Sequence, residues 1–145
     1  MVRRDYLQKQ IDLLGRVLGK ILTDLLGLKN VGEIMEGIDS STMALKNELN
    51  IDLEELLELT NDEFIQKLQT ENKFNSDNLE KLSEIMLVMA DKIFLEEKTK
   101  DKSLKLYIKC IALFEYVETI ESTYSLERNK KIDQIKLKTE LLLKN

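Results

Sequence analysis

Residues 87–110 read LVMADKIFLEEKTKDKSLKLYIKC, a pattern of small and aromatic side chains at helical spacing on either side of a charged turn. Leu87, Ala90 and Phe94 share one helical face, Lys98 to Asp101 supply the turn, and Ser103, Tyr107 and Cys110 repeat small, aromatic, small. Small residues where two helices meet let the backbones approach, so the spacing predicts a helix-turn-helix hairpin with a tight crossing. A packing pattern of this kind points to a scaffold or docking role rather than to a reaction.

The same periodicity extends outward in both directions. Asp77 with Glu80 reads as a capping box for the hairpin's first helix, and Asp101 reads as the cap of the second, which continues to about Glu121. Ser125 then caps a last helix from Leu126 to Leu143, with Ile132, Ile135, Leu142 and also Leu141 facing inward and Arg128, Lys130, Lys131, Lys136 and Lys138 left outside. Upstream, the polar stretch from Thr70 to Ser76 reads as a loop. Before it, Thr60 with Glu63 forms another capping box for a short helix carrying Phe64, Ile65 and Leu68, and Asp52 opens a short helix through Leu53, Leu56 and Leu57.

Two longer helices come first. From about Asp5 to Leu28 the residues Leu7, Ile11, Leu14, Leu18, Ile21, Leu25 and Leu28 make a heptad stripe, which Leu13, Val17, Leu22 and Leu26 widen. So broad an apolar face has to be covered, by the rest of the chain or by a second copy in a homodimer. Gly15 and Gly19 lie inside this helix, where two small residues one turn apart form a groove for another helix backbone at a cost in helix propensity of about 1 kcal/mol each. A second helix starts at Asn30 or Val31 and reaches about Leu49, with Ile34, Ile38, Leu45 and Leu49 on one face and Ser40, Ser41 and Thr42 in its middle.

Composition agrees with an all-α, multi-helix bundle. Proline is absent, no run alternates with a period of two, and no proline- or glycine-rich linker divides the 145 residues, which suits one helical domain over 1–145. Its N-terminal helices occupy 1–70, and the hairpin with the last helix occupies 77–145. The longest uninterrupted apolar run, 85–90, is far short of the roughly 20 residues that span a membrane, and no apolar segment follows Arg3 and Arg4 to make a signal peptide. A cytoplasmic location is the expectation. Cys110 is the one cysteine and, among Ile108, Ile111 and Ala112, reads as a small buried residue.

Charge is distributed in blocks. Residues 1–30 carry six basic against three acidic groups, 31–63 one against ten, 64–97 four against seven, and 98–145 eleven against seven. An acidic middle between basic ends reads as helix faces that attract one another within the fold, or as a charged docking surface.

The 87–110 stretch resembles a tetratricopeptide repeat, whose unit of roughly 34 residues sets large, small and aromatic positions in this order. Leu87, Ala90, Phe94, Ser103, Tyr107 and Cys110 occupy the matching places, while Asp91 stands where the family has glycine or another small residue and Glu115 stands where its closing proline belongs. Only one copy is visible and solenoids generally need about three, so the resemblance implies a repeat-like hairpin in the C-terminal half rather than an array. As a whole, the order of segments is similar to a group of small, uncharacterised bacterial all-helical proteins. That similarity rests on Asp5-Tyr6-Leu7, Leu25-Leu26-Gly27-Leu28, Asn50-Ile51-Asp52-Leu53, Leu59-Thr60-Asn61-Asp62-Glu63 and the hairpin. These are caps and packing residues; the resemblance implies a fold and brings no functional residue with it.

Histidine is absent, which removes the commonest general base, the usual zinc and iron ligand, and every Ser-His or Cys-His pairing. Glu33 with Glu36, and Glu54, Glu55 and Glu58, lack the Glu-x-x-His partner of a di-iron bundle and read as solvent-facing acids. A carboxylate-only magnesium site stays open, but Gly15-x-x-x-Gly19 has no following lysine and hydroxyl residue of the phosphate-loop type. No cofactor is implied, and an enzyme is held open only for chemistry run by carboxylates, lysines or tyrosines. The reading is therefore a non-enzymatic protein–protein interaction or scaffold module of unspecified partner, with the hairpin from Asp77 to Glu121 presenting a groove. The alternative is a nucleic-acid or anionic-surface binder that uses Arg128, Lys131 and Lys138 of the last helix. Asp133 and Glu140 interrupt that face, and the net charge of −5 disfavours nucleic acid.

Overall fold

A helix with a broad apolar face needs more than one neighbour to cover it. Helix α5 (Ser76–Ile93) is of this kind, with Leu79, Leu82, Ile85, Met86, Met89, Ala90 and Ile93 all buried. In the computed structural model, which describes residues 2–71, 74–94 and 96–144, α5 packs most extensively on α6 (Lys100–Ile120) and next on α1 (Val2–Leu26). Outside these lie α7 (Leu126–Lys144) against α6 and α2 (Val31–Leu49) against α1. The short helices α3 (Leu53–Glu58) and α4 (Asn61–Thr70) bridge from α2 to α6. One contiguous core takes side chains from every helix, and no strand occurs among the described residues.

Most helix starts form where the sequence places them. Thr60 and Glu63 complete a reciprocal capping box, Asp52 accepts from Glu55 N at 3.3 Å, and Ser125 Oγ accepts from Arg128 N at 3.2 Å. Two caps differ. The cap of α5 is Asn75, whose Oδ1 accepts from Asn78 N at 2.9 Å, so Asp77 stands in the first turn instead. Buried Phe74 and Leu79 then occupy the positions of a hydrophobic staple around Asn75, which favours the earlier start. Likewise α6 begins at Lys100 on a 3-10 turn (Glu97–Thr99), which leaves Asp101 in the first turn, while Thr99 Oγ1 donates to Ile93 O at 2.9 Å. Of the expected loop from Thr70 to Ser76, Thr70 ends α4 and Ser76 opens α5; Asn72 and Lys73 lie outside the described residues.

Helix α2 ends on Asn50 in the left-handed region (φ 57°), with Ile51 N donating to Leu45 O at 3.0 Å and both apolar side chains buried. This chain reversal aims α3 back under the bundle. The Ser40-Ser41-Thr42 run stays helical; Thr42 Oγ1 donates to Ile38 O at 2.8 Å.

The heptad stripe of α1 is satisfied within the chain. Leu18, Ile21 and Leu25 are buried, Leu14 and Leu28 pack against the core, and only Leu7 at the start is exposed. The stripe is therefore not the seam of a homodimer. Nor do the two glycines form a joint groove. Gly15 is buried against α5, where an added Cβ would lie 3.1 Å from Asn78 Oδ1, while nothing lies within 4 Å of such an atom at Gly19. Asn78 Nδ2 donates to Ile11 O at 3.2 Å across the same contact. At Gly37 an added Cβ would collide with Leu28, so this glycine makes room for the corner between α1 and α2.

Thermal melts of two variants check this assignment. Gly19→Ala should stabilise the protein by about 1 kcal/mol through helix propensity alone, whereas Gly37→Ala should gain less than Gly19→Ala because the half-buried Leu28 side chain must first swing aside.

Candidate interaction surface

The residues singled out on the hairpin meet, but in the interior. Ala90, Ser103, Tyr107 and Cys110 are fully buried, and Leu87 and Phe94 are half-buried at the edge of the core. Close approach of α6 to α5 is marked by Ser103 Oγ donating to Ala90 O at 3.0 Å and Cys110 Sγ donating to Ser83 O at 3.1 Å. Phe94 and Tyr107 stack edge to face with centroids 6.1 Å apart. Tyr107 donates its hydroxyl proton to Asp91 Oδ1 at 2.5 Å. Burial, with Asp91 adding to it, pushes both the Tyr107 hydroxyl and the Cys110 thiol above their ordinary ranges, so both stay protonated at neutral pH. The hairpin face expected to present a groove is filled by its own side chains.

The cations of the last helix are also engaged internally. Arg128, expected outside, is only 4% exposed and donates to Glu80 (2.9 Å), Glu118 (2.6 Å) and Glu121 (2.8 Å). Burial alone would lower its pKa, but the three carboxylates outweigh that and raise it. Lys131 pairs with Glu84 at 2.9 Å and Lys138 with Asp91 at 2.7 Å. Arg128 begins the inward series Arg128, Ile132, Ile135, Leu142, a heptad-like spacing that its charge conceals in the sequence. Leu141, expected inward, is exposed, as are Leu137 and Leu143. Lys109, in the same way, sits in the buried series Leu106, Lys109, Leu113, Val117 of α6 and donates to Asn61 Oδ1 at 2.9 Å. Burial holds its ammonium below the usual lysine range, with Glu58 opposing in part.

Exposed apolar side chains stand together on the outward side of the α1–α2 pair. Along α1 the exposed residues Tyr6, Lys9, Leu13, Arg16 and Lys20 follow one another at intervals of three or four, and on α2 the exposed series is Met35, Glu36, Asp39 and Met43. Leu13 is 55% and Met43 62% exposed. Two adjoining clefts open here between the helices. One of about 670 Å³ is lined by Leu7, Leu13, Leu14 and Leu49 together with Gln10, Asn47, Glu48 and Glu71, and one of about 580 Å³ by Ile21, Leu28, Met43 and Ala44 together with Lys20, Asp24, Ser40 and Glu48. Ion pairs among the described residues lie between positions 54 and 138, and none involves a side chain of α1 or α2. Leu13 was legible as part of the widened face of the first helix. Met35 and Met43 were missed, and their only signal is that they lie opposite the buried stripe of α2.

The chain matches no protein-family model, no curated protein and no solved structure. Among the described residues, no helix is long and apolar enough to cross a membrane, and no group of three or more Cys, Asp or Glu side chains is placed to hold a metal ion.

Chemical denaturation separates the three buried polar positions. Tyr107→Ala should cost about 3–4 kcal/mol by emptying the hairpin core. Arg128→Met should cost about 2–4 kcal/mol by leaving three half-buried carboxylates facing one another. Lys109→Met should instead be more stable than the wild type near neutral pH, because the folded state binds this proton less tightly than the unfolded chain does. Stability of the wild type from this group rises with pH up to the unfolded value of 10.5, so the gain of the variant should shrink over that interval.

Proposed function

We propose that this chain is a non-enzymatic protein–protein interaction module of the cytoplasm. Its α5–α6 hairpin, packed in the manner of a lone tetratricopeptide-like unit, is the framework, and the outward α1–α2 face is the docking surface. The observation that carries this reading is that exposed Leu7 and Leu13 line one of the two clefts between α1 and α2 and exposed Met43 lines the other, since apolar side chains gathered beside a concave surface mark interaction sites more often than scattered ones do. Buried tyrosine and cysteine held in their protonated forms support a binding role over nucleophilic chemistry.

The alternative, a nucleic-acid or anionic-surface binder, loses its main support from the internal pairing of Arg128, Lys131 and Lys138 with Glu80, Glu84 and Asp91. A phosphate would have to displace carboxylates already in contact with these cations.

Both readings are open to measurement. Wild type and the double variant Leu13→Asp/Met43→Asp, used as baits in an extract of the native cell with quantitative mass spectrometry, should differ by at least about tenfold in the partners retained, since desolvating an introduced carboxylate costs more than 1.4 kcal/mol. Both substituted residues are exposed, so the melting temperature should not change. An identical set of partners on both baits would overturn the α1–α2 assignment. Fluorescence anisotropy with labelled duplex DNA and single-stranded RNA should show no binding tighter than about 100 µM at physiological salt. A low-micromolar affinity that falls steeply with salt would favour the basic-helix reading.

A further inference from the structure

We infer that the side of the α5–α6 hairpin covered by α7 is a binding site for a basic amphipathic helix, which α7 fills in the single chain as an exchangeable occupant. This surface is separate from the α1–α2 face. On α5, Glu80, Glu84, Leu87 and Asp91 follow one another at intervals of four, three and four, so they share one side of the helix. On α6, Tyr107, Ile111, Phe114, Glu118 and Glu121 repeat that spacing. Glu80 meets Glu118 and Glu121 around Arg128 at one end of this side, and Asp91 accepts from Tyr107 at the other. Helix α7 carries the complement. Arg128 enters the acidic end, Lys131 reaches Glu84, and Lys138 reaches Asp91 with its ammonium 5.8 Å from the centre of the Tyr107 ring. These three pairs to α5 span 48, 47 and 47 residues, so α7 runs parallel to α5, and Ile132, Ile135 and Leu142 are buried along the same side.

Charge does much of the holding. Helix α7 buries only Ile132, Ile135 and Leu142 among its apolar side chains and leaves Leu126, Leu137, Leu141 and Leu143 exposed. The pairs of Lys131 and Lys138 are partly exposed, and pairs of that kind contribute little. Arg128 is costly to replace singly, because its three carboxylates stay crowded. When the whole helix leaves, Arg128 and those carboxylates all return to water, and the regained hydration offsets much of the lost attraction. Helix α7 is therefore the element that opens before the rest of the bundle. The segment 121–125 tethers it to α6. A tether this short holds α7 at an effective concentration of about millimolar, so a partner helix displaces it by repeating its cations and making more apolar contact than its three buried side chains do. The pattern required of that partner is Arg, followed by Lys, apolar, apolar, Lys and apolar at the spacings of Lys131, Ile132, Ile135, Lys138 and Leu142 from Arg128.

Hydrogen exchange read by mass spectrometry tests the opening on the wild-type chain. Amides of 131–141, in the middle of α7, should exchange at least about tenfold faster than those of 82–90 in α5 and 106–116 in α6. Raising sodium chloride to about 0.5 M should widen that difference by screening the ion pairs. Equal protection of the three segments overturns the inference, because α7 then leaves only on global unfolding, and so does an α7 rate that salt leaves unchanged. Binding is tested on the full chain carrying Ile135→Glu, which should hold α7 off with a loss of helical circular dichroism no larger than the share of its 19 residues. By fluorescence anisotropy, a labelled synthetic peptide of residues 122–145 should bind this variant with a dissociation constant of about 100 µM or tighter. The same peptide with Arg128→Glu/Lys131→Glu/Lys138→Glu should bind at least about tenfold more weakly. A folded Ile135→Glu chain that does not bind the first peptide overturns the inference; if the variant loses more helix than α7, the exchange rates of the wild type decide. Leu13→Asp/Met43→Asp should leave the exchange rates of α7 unchanged, which separates this site from the α1–α2 face.

Discussion

The broad buried face of helix α5 has to be covered from two directions, and the rest of the bundle follows from that. Ala90 and Ser83 thin one of its sides, so α6 comes close enough for Ser103 and Cys110 to reach α5 carbonyls. Gly15 thins the facing side of α1, so that helix also approaches closely, and Asn78 reaches its backbone. Small residues on three helices thus let one helix with a broad apolar face become the middle of a three-helix layer. Helices α2 and α7 need only cover the outer apolar stripes of α1 and α6, which is why each keeps a polar and partly exposed outer side.

Charge is sorted by the same layering. The C-terminal cations lie over an acidic middle, with Lys102 and Lys105 meeting Glu54 and Glu58, and Arg128 and Lys131 meeting Glu80 and Glu84. Surface pairs of this type contribute little each, but Arg128 is different because it is buried and its three partners come from α5, α6 and the end of α6. It fixes the docking of α7 more by orientation than by energy. The charged side chains of α1 and α2 take no part in these ion pairs among the described residues.

Much of the fold is legible in the sequence, because the signals are local. The heptad of α1 survives in Leu18, Ile21 and Leu25, and the Thr60, Asp52 and Ser125 caps are made by neighbours within one turn. The displaced caps have a local cause too. Two overlapping signals compete at Asn75 and Asp77, and burial of Phe74 selects the earlier. Arg128 and Lys109 were not legible, because a cation in an apolar stripe looks like a stripe that has ended; only tertiary neighbours show that it is buried and paired. Gly19 misled for a similar reason, since spacing finds two small residues and cannot say which of them another helix meets. The candidate surface was least visible. Exposure of Leu13 and Met43 depends on which sides α5 and α3 cover, and neither is close in sequence.

The contact between Ile11 and Asn78 spans 67 residues, and this separation sets the order in which the chain can be built during translation. At about 5–20 residues per second, α1 leaves the ribosome roughly 3–13 s before the part of α5 that covers it, while a helix of its length forms in about a microsecond. The hairpin of α1 and α2 is therefore complete, but bare on its inward side, while the segment from the end of α2 to the end of α5 is still being made. Helices α5 and α6 are adjacent in sequence and can pair as soon as they emerge. The nascent chain thus carries its longest-lived unprotected apolar surface at its N-terminal end, until α5 closes onto a helix pair that has been waiting for it.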